Sequence, residues 1–232
     1  DLQVRSKHQA EAIAAAAKIC ESVPGNPDVR KASLIALINM HAGAQQFDKA
    51  AENAGLFLKE FPDSGNASAE VRVKLASYLA RKKNFAGALE EAEKAMGQMK
   101  DDDKLMAEAL VIAMDASAQT KNPEKELAFL AQLKDEKFLK HRNSWEHYGL
   151  RMRYANCLKR AGKLDETIKF CSEAEKFAGQ PPDQLQGWSK MIADCLVEKK
   201  ASSGDIIRQC EKVFTDHPEV SNNWYSAQQM IV

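Results

Sequence analysis

Long apolar runs, net charge and chain-breaking residues are all scarce in this 232-residue sequence, and each shortage excludes something. No run of about eighteen apolar residues occurs, and the most apolar helical candidate, Ala32–Met40, is too short to span a bilayer, so no membrane insertion is expected. Thirty-three basic residues balance thirty-three acidic ones, which leaves no global field to draw a nucleic acid or an anionic membrane surface. Glycine, proline and β-branched residues are sparse beside alanine, leucine, lysine, glutamate and arginine, a balance that favours helix nearly throughout and predicts essentially no sheet. There is no initiator methionine and no basic-then-apolar leader. The chain is therefore expected to be a mature exported protein or a fragment of a longer one.

The motifs that usually announce chemistry are missing as well. There is no Gly-rich phosphate loop, no Gly-x-Ser-x-Gly elbow and no Cys-x-x-Cys. His8, His41, His141, His147 and His217 stand at no recognised zinc spacing, and they are expected at surfaces or turns. Asp101-Asp102-Asp103 lacks the alternating ligands and closing glutamate of a calcium loop and reads as the cap of a following helix. No catalytic residue, metal site or cofactor is predicted, and the chain is expected not to be an enzyme.

What is present is a repeat. Phe47-Asp48-Lys49-Ala50-Ala51, Phe85-Ala86-Gly87-Ala88-Leu89 and Leu164-Asp165-Glu166-Thr167-Ile168 share one large apolar residue followed by two polar or small ones and then a helix. Alignment on that pattern starts repeats near Lys31, Ala69, Ala107, Tyr148 and Gln186, at spacings of 38, 38, 41 and 38 residues. Within repeats the breaks Gly43–Gln46, Arg81–Asn84, Thr120–Pro123, Ala161–Lys163 and Lys199–Gly204 read as helix–helix turns. Between repeats lie Phe61-Pro62-Asp63-Ser64, Gln180-Pro181-Pro182-Asp183 and His217-Pro218-Glu219, where proline ends one helix and a polar residue opens the next.

With its small residues at fixed places in a helical pair and its terminal proline, the chain resembles the tetratricopeptide (TPR) superfamily. The second repeat matches best, with Ala76, Ala88 and Ala95 at the small places and Leu75, Leu79 and Phe85 as the large apolar residues. The first repeat has Ala50 and Pro62 but puts Ile38 at a small place, and the third puts Met114 and Glu126 at small places. The resemblance implies an all-α, right-handed α-solenoid of about five helical hairpins in one domain. The repeats are placed near 31–68, 69–106, 107–147, 148–185 and 186–220, with partial helices at 2–22 and 222–232. Small residues allow close helix approach, and stacked neighbours bury what one hairpin cannot.

The resemblance also implies that the first helices of successive hairpins line a groove that takes a protein or peptide. Carried over place by place, its lining is expected to include Asn39, Ser77, Asp115, Asn156, Lys159, Lys190 and Asp194, along with Val73, Val111 and Met152. Arg153 and Arg160 flank it. Asn156, Lys159, Arg160 and Lys190 form a cationic cluster suited to a carboxylate, beside the alternative of an ordinary solvated basic face. The full Lys and Asn arrangement of chaperone-binding members is absent, Lys74 standing where they have Asn.

Cys157 with Cys171, and Cys195 with Cys210, occupy paired helices of successive hairpins. Two disulfides are conceivable, but buried thiols are the favoured reading, Cys20 making the count odd. Trp145, Trp188 and Trp224 are read as staples between hairpins, with partner hot spots as the alternative. Met96, Met99, Met106 and Met114 read as core fillers.

The leading expectation is thus an interaction scaffold or adaptor within a larger assembly. The alternatives are a self-assembling homo-oligomer joined through uncapped ends near Trp224 and Ile231, and an α/α-type hydrolase using Asp115 and Asp194. Glu60-Phe61-Pro62-Asp63-Ser64 is similar to junctions in bacterial envelope TPR proteins, including outer-membrane assembly lipoproteins, and implies a bacterial periplasmic setting.

Overall fold

A computed structural model describes residues 2–22, 25–99, 101–139, 144–176 and 182–216. It divides into two compact units, residues 1–122 and 123–232. Every regular element among the described residues is a helix. Unit 1 contains α1 (Leu2–Ser22), α2 (Pro27–Gly43), α3 (Phe47–Glu60), α4 (Asn66–Arg81), α5 (Phe85–Gln98) and α6 (Asp103–Gln119). Unit 2 contains α7 (Pro123–Leu133), α8 (Glu136–Leu139), α9 (Ser144–Arg160), α10 (Leu164–Ala174), α11 (Pro182–Glu198) and α12 (Ser203–Asp216). The first helices of the hairpins begin three or four residues ahead of the alignment points, because Asn26, Gly65 and Asp102 set the starts of α2, α4 and α6. The Asn26 side chain accepts from the Val29 amide, and Asp102 accepts from Leu105 at 2.9 Å, so the aspartate run acts as a cap. The single helical turn α8 occupies the stretch where the sequence spacing lengthens to 41.

One turn is used five times. After each first helix a residue enters the left-handed region: Gln45 (φ 59°), Lys83 (62°), Lys121 (56°), Gly162 (73°) and Lys200 (55°). The next residue donates its amide to the carbonyl five positions back, as in Gln46 to His41, Asn84 to Leu79, Asn122 to Ser117, Lys163 to Leu158 and Ala201 to Leu196. This closes the helix end and points the chain back along itself. The left-handed residue recurs at 38, 38, 41 and 38 residues, the interval of the sequence repeat.

Packing in unit 1 relies on small side chains. Ala50, Ala54, Ala76, Ala88, Ala92 and Ala95 are fully buried, which lets antiparallel helices approach closely. Ile38, at a small place in the motif, is also fully buried and is absorbed by a cluster with Leu34, Leu37 and Phe57. Arg30 donates to Glu60 at 2.8 and 3.0 Å and to the Cys20 carbonyl at 2.6 Å, tying together α1, α2 and α3. The Phe61–Ser64 junction is fixed by buried Ser68, which donates to the Phe61 carbonyl and accepts from the Ser64 amide.

Unit 2 relies on aromatics and charge. Trp188, 1 % exposed, meets Tyr148 and Phe170 edge-on at centroid distances of 5.1 and 6.2 Å, joining α9, α10 and α11. Tyr154 packs on Phe170, and the Lys134 ammonium lies 4.7 Å from the Tyr154 ring centre. Trp188 is therefore a staple; the Trp145 side chain and Trp224 lie outside the described residues, as do His217, Ile231 and the expected helix at 222–232. The units share one device. Asp48, in the first turn of α3, pairs with Lys82 beyond α4, and Asp165, in the first turn of α10, pairs with Lys199 beyond α11.

Candidate functional site

In unit 1 the first helices α2, α4 and α6 carry Asn39, Ser77 and Asp115. Asn39 and Asp115 are exposed and Ser77 is half-buried. The structure joins α2 to α4 through Lys74, whose ammonium donates to the Asn39 side-chain oxygen at 2.8 Å and pairs with Glu70 at 2.8 Å. Lys74 thus has a local task, bridging α2 and α4. Val73 does not face a groove: it is buried with Ala95 and Ala109 in the core.

In unit 2 the predicted cationic cluster is largely committed to internal partners. Arg153 donates to one oxygen of Glu126 at 3.0 Å and Arg160 to the other at 2.8 Å. Glu126 is 2 % exposed, while the two arginine side chains are 31 % and 58 % exposed. The glutamate at a small place of the motif is therefore neither stray nor disruptive, since two guanidinium groups from α9 neutralise it on α7. In sequence this convergence shows only as an acid at a small place of the motif and two arginines seven residues apart beside the expected groove.

Lys159 pairs with Glu198 at 2.9 Å and Asp194 at 3.6 Å, linking α9 to α11. Burial pulls its ammonium down, but the Glu198 hydrogen bond and the Asp194 charge outweigh this, and its pKa lies above the ordinary lysine value. Asn156 donates to the Met152 carbonyl of its own helix at 2.9 Å. Lys190 is exposed and makes no ion pair among the described residues. Two of the cluster's three cations, Lys159 and Arg160, already have carboxylate partners, so it does not offer four free donors to one carboxylate.

Among the described residues four cysteines are thiols. Cys20, Cys157, Cys171 and Cys195 are buried and unbridged, so Cys157 and Cys171 do not form the conceivable disulfide; the Cys210 side chain lies outside the described residues. Burial, with added effects from Cys195 and Glu175, pushes the Cys171 thiol up to about 12. Burial and Glu126 likewise raise Cys157, with Arg160 and Arg153 opposing. His8 is exposed beside Glu11, and His41 is buried at the end of α2 with its Nδ1 2.8 Å from the Gln46 side-chain oxygen. Among the described residues no three His, Cys, Asp or Glu side chains gather to hold a metal ion, and no helix is long and apolar enough to cross a membrane.

No family model matches the sequence, and no curated protein matches it. Solved structures do. YrrB, described as a TPR protein with an unusual peptide-binding site, superposes with a TM-score of 0.60 at 13 % identity over 92 % of this chain and 98 % of its own. MamA gives 0.56 at 13 % identity over 82 % and 93 % of the two chains. The nearly identical TPR-like repeats of a kinesin light chain from Podospora anserina give 0.54 at 10 % identity over 83 % and 97 %. With its five-fold repeated turn, its small-residue helix contacts and these likenesses, the chain has the tetratricopeptide-type all-α fold.

Proposed function

We propose that this chain is a protein-interaction adaptor that takes a peptide or helix of a partner on the exposed faces of its first helices. The observation that carries the reading is the polar side chains of α2, α4 and α6, where Asn39 and Asp115 are exposed, Ser77 is half-buried and Lys74 bridges to Asn39. A fold that presents such a surface on rigid helices is suited to recognition, and YrrB, of the same fold, is described as having a peptide-binding site. The internal pairing of Lys74, Lys159, Arg153 and Arg160 argues for a partner segment of mixed polarity and against one chosen by carboxylates alone.

The test is site-specific photo-crosslinking from position 77 on α4, with position 59 on α3 as the control. A partner that crosslinks from position 77, and whose purified segment loses binding about tenfold or more to a Ser77→Arg variant of unchanged helicity, supports the reading. Equal crosslinking from both positions, or a segment indifferent to Ser77→Arg, overturns it.

A further inference from the structure

On the other side of unit 1 a cleft of about 720 Å³ runs between the second helices α3 and α5, with α4 as its floor. Its apolar surface is Leu75 and Leu79 of α4, both half-buried, beside Ala51 and Gly55 of α3. The cause is legible in the repeat. Six positions after each left-handed turn residue the later second helices carry Leu89, Leu127, Ile168 and Ile206; α3 alone carries alanine, Ala51. One turn further along α3, Gly55 sits in a helix interior with φ in the ordinary range, and a Cβ there would meet nothing within 4 Å. Glycine in such a place destabilises a helix relative to alanine, and no internal contact here requires it. The first hairpin thus lacks the large side chain that its sister hairpins supply.

The rim carries a sign. Asp48, Glu52, Glu90 and Glu91 line the cleft with one lining cation, Lys82, which pairs with Asp48. Arg72 and Lys94 reach Glu91 and Glu90 from outside and reduce the excess without cancelling it, and Glu52 is exposed with no ion pair among the described residues. An apolar gap bordered by four carboxylates, one of them, Glu52, in surplus over the neighbouring cations, is complementary to an apolar side chain flanked by an ammonium or guanidinium group.

We infer that the α3–α4–α5 cleft is a second docking site, separate from the first-helix face, for a partner segment that inserts a leucine-sized side chain beside Ala51 and Gly55 and sets Lys or Arg against Glu52 and Glu90.

The probe is a fluorescent nine-residue peptide with a central leucine between two pairs of lysines. Its controls have the leucine changed to serine or the lysines to glutamates, and binding to the full chain is read by anisotropy. The lysine–leucine peptide is expected to bind about tenfold or more tighter than either control, as burial of one leucine and the sign of the rim require. Ala51→Leu, which copies the chain's own later repeats and is expected to fold at least as well, abolishes that preference; Glu52→Lys with Glu90→Lys weakens it; Ser77→Arg leaves it unchanged. Equal binding of the three peptides, or binding unaffected by Ala51→Leu, overturns the inference. So does light scattering that shows a self-associated parent chain made monomeric by Ala51→Leu, since the occupant is then a second copy.

Discussion

Between the helices of unit 1 alanine is the most frequent buried side chain, beside the ring contacts of Phe47 with Tyr78 and Phe57 with Phe61, and ties such as Asp48 with Lys82 and Arg72 with Glu91 add to the close approach. Between those of unit 2 the same task falls to Trp188, Tyr148 and Phe170 and to a buried carboxylate gripped by two arginines. The turn that reverses the chain is nevertheless the same in both, down to the left-handed residue and the amide bond that follows it. Local backbone chemistry therefore fixes the hairpin, while the means of joining helices is free to vary as long as volume and charge are balanced. Gly187 illustrates the second mode: a Cβ there would come within 1.9 Å of the Tyr148 hydroxyl oxygen, so the aromatic packing of α9 on α11 has its own small-residue requirement.

The sharpest way to break this contrast is Trp188→Ala, which removes the largest fully buried side chain of unit 2 and is expected to lower stability by about 3–5 kcal/mol in denaturant unfolding. An effect below about 1 kcal/mol means that the aromatic cluster does not hold α9, α10 and α11 together. Next comes Glu126→Ala, expected to cost about 1–3 kcal/mol, less than a fully buried pair because both freed guanidinium groups have access to water. Glu126→Leu with Arg153→Met, which moves unit 2 towards the apolar mode of unit 1, is expected to recover most of that loss. Smaller still are the turn effects, which run in opposite directions. Gly162→Ala is expected to destabilise by about 1 kcal/mol, whereas Lys83→Gly, at the equivalent place, relieves a left-handed side chain and is expected to be neutral or stabilising by under about 1 kcal/mol. The smallest expected change is none: with its thiol pushed up to about 12, Cys171 should resist iodoacetamide at pH 8 until the chain is unfolded.

The hairpin order was legible in sequence because turn and helix signals are local. The breaks at 43–46, 81–84 and 161–163, the cap at Asp102 and the small residues Ala76, Ala88 and Ala95 depend on neighbours within one or two turns. Trp188 as a staple and the cysteines as buried thiols followed from size and polarity. The partners of Arg153, Arg160 and Lys159 did not, because ion pairs between residues 27, 34 and 39 positions apart depend on how their helices pack. The α3–α5 cleft was hidden for a related reason: Ala51 matches a helix pattern as well as leucine does, and its consequence shows only when it is seen lining one cleft with Leu75 and Leu79.

The adaptor reading is tested most directly by hydrogen–deuterium exchange of the full chain with and without the partner segment recovered by the position-77 crosslink. The account predicts slowed exchange in first helices, with α4 among them. Protection confined to second helices, or no protection at saturating segment, contradicts it.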